Sequence, residues 1–372
     1  MKYQIVIFGS YSGKNKGDVA ILQSIVTQLG KEIPNLLIHV LSKKPSNFVN
    51  VFPKDKYKHV TFHKSTTAYW GIHTLKILKS VDLLVLGGGG LFFDKNLFNI
   101  FYNHVINLFF LSLLNQLFFK KPVYIFSVGA SHLESKLSIL MTKYIINHAK
   151  IITVRDDLTY QLFSKLTSRE IKLHYDPAFL LTARKNQSSN TLLSVIDNKR
   201  DHTLLLFILN DSLLNYYDKN HGYPGLVNII NTLQEQFFIV LTCNNLDCNN
   251  LNKLQDLCNN KNLSVFHPKH LTPEDIMGFY QNFDFAVCTP MHSAIFAYIA
   301  GVKLITISYN KKILELNKII ENNNDVAIRN LEKITDFIKN YNEIGWENKP
   351  TIIANVLENF NKLSQSIIHS KK

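Results

Sequence analysis

A chain of 372 residues is long enough for two domains, each with its own core. With 46% hydrophobic and 19% charged residues it is an ordinary globular chain rather than a disordered one. The net charge of +13 favours anionic partners, but the lysines are scattered and no basic run is interleaved with aromatics, so nucleic-acid binding is not expected. Cys243, Cys248, Cys258 and Cys288 form no C-x-x-C pair and match no histidine spacing, which disfavours zinc and makes reduced, packed thiols in the cytoplasm the default.

The opening residues run directly into Gln4–Phe8, a core strand too short for the apolar part of a signal sequence. A polar glycine loop, Gly9 to Asp18, follows. Val19, Leu22, Ile25, Val26 and Leu29 then recur at helical spacing. Leu36–Leu41 and Val81–Leu86 read as the next strands, the latter running into Gly87-Gly88-Gly89-Gly90. The run Val105 to Phe119 is apolar but broken by Asn107, Ser112, Asn115 and Gln116, and it falls short of a bilayer span. It reads as a buried or surface-docking helix, and its close on Lys120 and Lys121 suits a peripheral contact at the inner face of a membrane.

Pro122–Val128 is a fourth strand, a helix is expected from about Lys136 to His148, and Ile151–Val154 leads to Arg155-Asp156-Asp157 and a helix over Leu158–Leu166. Lys185 to His202 is polar and Asn/Ser/Lys-rich, the expected linker. Thr203–Leu209, Phe237–Thr242, Leu263–Phe266, Phe285–Cys288 and Lys303–Ser308 then renew the strand–helix rhythm. Strands alternating with helices, with glycine turns at strand ends, indicate parallel sheets covered on both faces. The expected organisation is an α/β chain of two Rossmann-like domains, 1–185 and 200–345, facing a cleft. An amphipathic helix with a basic tail, 346–372, completes it.

The residues that carry chemistry cluster at strand ends, where ligands bind in such sheets. Thr289-Pro290-Met291-His292-Ser293 is a strand-to-helix turn, with the helix starting near His292 or Ser293 and ending at Gly301. Free N–H groups at that helix start suit an anion, and a histidine there can move a proton near neutral pH. Capping and packing are the equally weighted alternative for His292 and Ser293. The Gly9–Asp18 loop fits neither G-x-x-x-x-G-K-[ST] nor G-x-G-x-x-G. It offers glycines for close approach, Asn15 as a turn former, and Asp18 at the helix start, where a plain N-cap is the better reading on local grounds. Four glycines in a row are entropically costly unless unusual dihedrals or a close approach require them, which points to a ligand contact at Gly88, Gly89 and Gly90. Arg155 is either a fork for phosphate or carboxylate or the partner of Asp156 or Asp157. Asp176, before Pro177, reads as a turn aspartate.

These segments, in this order, resemble the polysaccharide pyruvyl transferase family. The features are Gly9, Asn15, Gly17, Asp18 and Ala20 to Leu22; Leu86 to Asp94; Thr153 to Asp156; Asp176-Pro177-Ala178; and Met291 to Lys311. The resemblance implies a GT-B-like architecture and transfer of a pyruvyl group from phosphoenolpyruvate to a sugar diol of a glycan, giving a pyruvate ketal. It implies His292 as catalytic residue, with Asp18 as a second acid or base. Arg155, Ser293 and Lys311 would bind the donor, and Asn15, Gly17 and Gly88–Gly90 would be loop contacts. The acceptor would be a cell-surface glycan precursor, free or lipid-linked. No metal and no cofactor beyond the co-substrate is expected, and an oligomer is compatible with the family. One position departs from the family: Pro290 stands where an arginine is usual, two residues before the histidine. Two alternatives follow. One is a GT-B-like glycosyltransferase using a nucleotide sugar, with Glu274 or Asp275 on the ribose; the other is a catalytically degenerate glycan-binding homologue.

Overall fold

The computed structural model describes residues 2–65, 71–94, 103–131, 133–184, 196, 201–210, 213–214, 222–243, 249–259 and 261–370. Most of the expected linker and the two terminal lysines lie outside them. The chain divides into two units. One holds residues up to Gly13, Asp18–Leu180 and the chain from Thr351 onward; the other holds Lys14–Gly17 and Leu181–Pro350.

The first unit is built on a seven-stranded parallel sheet: β1 (Tyr3–Phe8), β2 (Leu36–Ser42), β3 (Val60–Lys64), β4 (Leu83–Phe93), β5 (Val123–Ser131), β6 (Ile151–Val154) and β7 (Lys172–Leu173). Their spatial order is β3-β2-β1-β4-β5-β6-β7, so the winding reverses between β1 and β4. The central strands are continuous apolar runs because helices cover both faces. Helix α1 (Lys16–Glu32) follows β1; α2 (Ile72–Ser80), α3 (His104–Leu114), α4 (Lys136–His148) and α5 (Asp157–Ser164) follow β3, β4, β5 and β6. Ile77 and Leu78 of α2, Val105 and Leu108 of α3, and Ile145 and Ile146 of α4 share one core with Leu84 and Leu86. Among the described residues no helix is long and apolar enough to cross a membrane.

Two features differ from the sequence reading. The four glycines do not follow a strand; they lie inside β4, which continues to Phe93. Gly88 and Gly89 take φ of +72° and +85°, and the pairing with β5 slips between Gly90 and Phe92. The strand can continue through these angles because glycine has no Cβ to clash there. Strand β3 was not expected; it is short and partly exposed, and its burial pattern carries little signal.

The second unit carries a six-stranded parallel sheet: β8 (Thr203–Leu209), β9 (Phe237–Cys243), β10 (Leu263–Phe266), β11 (Phe285–Cys288), β12 (Lys303–Ser308) and β13 (Asp325–Ala327). The order β10-β9-β8-β11-β12-β13 reverses between β8 and β11. Its helices are α6 (Gly222–Gln234), α7 (Asn249–Leu257), α8 (Pro273–Tyr280), α9 (Met291–Ala300), α10 (Lys311–Ile319) and α11 (Ile334–Lys339). As expected, α9 stops at Gly301, which takes φ of +75° as the left-handed cap. Cys258 and Cys288 are free and buried, but Cys243 is disulfide-bonded, which corrects the expectation of reduced thiols throughout.

The last helix, α12 (Lys349–His369), joins the first unit from Thr351 onward. It locks a defect in β5. Ser127 is buried with φ of +46°, where the β5–β6 register shifts. Its N–H donates to Thr153 Oγ1 at 2.9 Å, and Asn359 Nδ2 donates to Ser127 Oγ at 2.8 Å. A non-glycine residue in this conformation costs on the order of 1–3 kcal/mol and persists only when its surroundings fix it. Asn359→Ala is expected to lower the unfolding free energy by about 1–3 kcal/mol, read from the midpoint of urea unfolding at unchanged slope.

Candidate functional site

In parallel sheets of this kind the carboxyl ends of the strands at a winding reversal form the crevice where ligands sit. The first unit's reversal lies between β1 and β4, and both of its glycine segments are there. Tyr11, buried after β1, donates its hydroxyl to Gly87 O at 2.5 Å. Burial first, then the charges of Asp18 and Asp176, push that phenol well above its ordinary pKa, so it stays a donor. A Cβ on Gly88 would fall 2.3 Å from Ile21 Cγ2 and 2.7 Å from Tyr11 Oη. One on Gly89 would fall 2.9 Å from Asp18 Oδ1. The glycines therefore let α1 lie directly on β4.

Asp18 is the third residue of α1, half-buried, and so sits inside the first turn rather than at the N-cap. The capping contact comes from Asn15, whose Oδ1 accepts the Gly17 N–H at 2.9 Å. Arg155 follows β6 and is buried. Its Nη1 donates to Asp176 Oδ2 at 2.5 Å, and its Nε lies 3.8 Å from Asp156 Oδ2. Burial acts to lower the pKa of this guanidinium, but Asp176, Asp156 and Asp18 together outweigh it and hold it raised. Asp176 does what a turn aspartate does, accepting the Ala178 N–H at 2.9 Å, and also pairs with Arg155 across 21 residues. Asp156 caps α5 by accepting from Thr159 N and Oγ1. This edge thus carries three carboxylates, a phenol and one guanidinium. It is suited to hydrogen-bonding hydroxyls and to taking a proton.

The second unit's reversal lies between β8 and β11, and His292 is there. Thr289 pins the turn, with its N and Oγ1 both donating to Ile208 O at 3.1 and 3.0 Å. Pro290 is the N-cap of α9, with φ of −75° and no side-chain cap on the helix. The angle is the one proline prefers, and the Ser293 and Ala294 N–H groups donate to Pro290 O at 3.0 and 3.2 Å. His292 is the second residue of α9 and Ser293 the third; Ser293 is buried. Lys311 opens α10 and is exposed, while the N–H groups of Lys312 and Ile313 are taken by Asn310 Oδ1. Of these two helix starts, that of α9 has no side-chain cap.

The imidazole of His292 is seated against Gly17. A Cβ at Gly17 would meet His292 Nδ1 at 2.1 Å and Cγ at 2.3 Å. The backbone at Gly17 needs no unusual angle; glycine is there for space. Lys16, next to it, was not singled out in the sequence. It is only 5% exposed, and its Nζ donates to the carbonyl oxygens of Leu271 at 2.7 Å and Lys269 at 3.2 Å. Burial brings its pKa down to about 8, with Asp275 working the other way. A buried lysine beside a loop glycine has no local sequence signature, since its acceptors are backbone atoms some 250 residues away. Glu274 and Asp275 are engaged elsewhere. Arg184 pairs with both, and Asp275 closes a capping box with Thr272. Among the described residues no group of three or more His, Cys, Asp or Glu is placed to hold a metal ion.

The family profile described as polysaccharide pyruvyl transferase matches residues 15–311, spanning the end of the first loop from Asn15, the Gly88–Gly90 segment, Arg155 and the His292 turn. The chain belongs to that family. No curated protein sequence matches this family member. Its fold is similar to Anabaena Alr3699/HepE in complex with UDP-glucose, with a TM-score of 0.61 at 11% identity over 99% of this chain and 98% of that one. UDP-GlcNAc 2-epimerase from Neisseria meningitidis, bound to UDP-GlcNAc, aligns at 0.62 and 12% identity over 96% and 99%. A putative UDP-N-acetylglucosamine 2-epimerase from Listeria monocytogenes aligns at 0.61 and 13% identity over 92% and 89%. At such identities the likeness is one of fold: this polysaccharide pyruvyl transferase family chain has the two-domain, GT-B-like α/β architecture.

Two outcomes follow from the His292 seat. Gly17→Ala is expected to drive the imidazole from its place and to destabilise the protein by roughly 1–3 kcal/mol, as overpacking does. Histidine ring shifts by NMR and a thermal melt would record both. Lys16 titrates lower folded than unfolded. Below pH about 8 the folded chain holds a buried ammonium at an energetic cost; above it the folded chain gives up that proton before the unfolded chain does. Wild-type stability should therefore gain on Lys16→Met between pH 8 and the ordinary lysine range, measured by paired urea titrations.

Proposed function

We propose that the protein transfers the pyruvyl group of phosphoenolpyruvate to two hydroxyls of one sugar in a glycan precursor, closing a pyruvate ketal and releasing phosphate. The observation that carries this reading is a histidine in the first turn of α9, at the strand end where the sheet's winding reverses. An enol phosphate must take a proton on its methylene carbon before its second carbon becomes electrophilic. His292 gives that proton as general acid. One sugar hydroxyl adds to the second carbon and loses its proton to a base, for which Asp18 is the candidate. The second hydroxyl then displaces phosphate and its proton leaves on the phosphate, while the proton taken by Asp18 returns through solvent to the imidazole. One methyl group and two C–O bonds form, and one C–O bond to phosphate breaks.

Donor binding would fall to Ser293 and Lys311 and to the positive end of α9, with Arg155 the weakest contributor because Asp176 and Asp156 already neutralise its charge. Backbone dipoles and a lysine can stabilise phosphate and carboxylate without an arginine at position 290. The acidic edge of the first unit, with Gly88–Gly90 beside Asp18, would receive the acceptor, whose hydroxyls pair with carboxylates. We place this work in the cytoplasm, on a precursor of a cell-surface glycan, with no cofactor beyond phosphoenolpyruvate. A nucleotide-sugar donor is less well supported, since Glu274 and Asp275 are taken by Arg184 and Thr272.

A thermal-shift titration with phosphoenolpyruvate tests the reading. A saturable rise is expected, and His292→Ala should retain much of it while lowering ketal formation on a diol acceptor by roughly 10²–10⁴-fold. A shift with UDP-glucose and none with phosphoenolpyruvate would overturn it in favour of the nucleotide-sugar enzyme. Large activity gained only on Pro290→Arg would mean the native chain binds without turning over.

A further inference from the structure

Helix α3 and the π turn that prolongs it, Asn115–Phe119, contain no Lys, Arg, Asp or Glu from His104 to Phe119. A helix apolar on every side is ordinarily enclosed on every side. This one is not. Its inner face, with Val105, Leu108 and Leu111, fills the core, but Leu117 is 60% and Phe118 68% exposed. Helix α4 packs alongside, with Phe109 set edge-on to Tyr144 between the two, and exposes Leu137 at 51% and Leu140 at 64%. On α4 these leucines alternate with exposed Lys136 and Lys143, and Lys120 and Lys121 close the π turn. From residue 103 to 150 the only acidic side chain is Glu134, against lysines 120, 121, 136, 143 and 150.

We infer that the outer face of α3 and α4 docks on an anionic lipid bilayer, with Leu117, Phe118, Leu137 and Leu140 entering the headgroup boundary and the lysines meeting the lipid charge. Exposed large apolar side chains mark an interaction surface, and apolar residues with interspersed lysines suit the plane of a charged membrane interface. A second copy of the chain is the poorer occupant. A two-fold contact through this face would set four lysines against their own images with one glutamate to offset each set. The inference stands on this face alone and does not depend on the donor or the acceptor.

Co-sedimentation of the full chain with phosphatidylcholine vesicles, with and without phosphatidylglycerol, tests it. Each lysine near an anionic surface contributes roughly fivefold to partitioning. Binding is expected only with phosphatidylglycerol, weakening with salt, and falling at least roughly tenfold in Lys120→Glu/Lys121→Glu. Leu117→Ser/Phe118→Ser should also lose binding at unchanged net charge, whereas Lys333→Glu/Lys339→Glu, an equal charge change at exposed lysines of the other unit, should keep it. Leu117, Phe118 and Lys120 are exposed and Lys121 is half-buried, and a circular-dichroism melt checks that the variants fold. Equal binding to both vesicles, no binding, or binding that tracks net charge alone would overturn the inference. So would a concentration-dependent dimer that Leu117→Ser/Phe118→Ser dissolves.

Discussion

A guanidinium removed from water must meet carboxylates at close range or it destabilises the fold. Arg155 meets two, and those pairings tie together the end of β6, the cap of α5 and the turn at Asp176. The same cluster reaches β5, where a Cβ on Gly129 would fall 3.0 Å from Arg155 Nε. The bulge at Ser127, held by Asn359, sets β5 in the register that brings Gly129 there. The edge on which a ligand would sit is thus a consequence of one buried charge and the backbone made to fit around it.

At the other reversal the constraint is steric. The imidazole of His292 occupies the space a side chain on residue 17 would fill, and Lys16 holds the neighbouring backbone by two carbonyls. Close packing of this kind holds a ring in one direction. Glycine at 17 and proline at 290 shape the turn differently. One vacates space; the other presets the entry of α9.

The two edges differ in charge. The first carries Asp18, Asp156 and Asp176 around Arg155; the second carries Lys16, next to the Gly17 seat of His292, and Lys311 at the start of α10. Each set of charges comes from the residues of a single unit.

The sequence by itself determined what local rules govern. Apolar runs located most strands of both sheets, helix α4 began and ended where expected, and Gly301 stopped α9 because only glycine takes that φ without strain. The ordered set of motifs was enough to indicate the family. Tertiary structure alone decided the rest. It put Gly87–Gly90 inside β4 rather than after it, paired Arg155 with Asp176, gave the cap of α1 to Asn15, and disulfide-bonded Cys243. It also made Gly17 a matter of space and Lys16 a buried anchor. Dihedral preference and periodicity are properties of neighbours in the chain, whereas the partner of a buried charge or the atom that fills a glycine's missing side chain is set by residues far away in sequence.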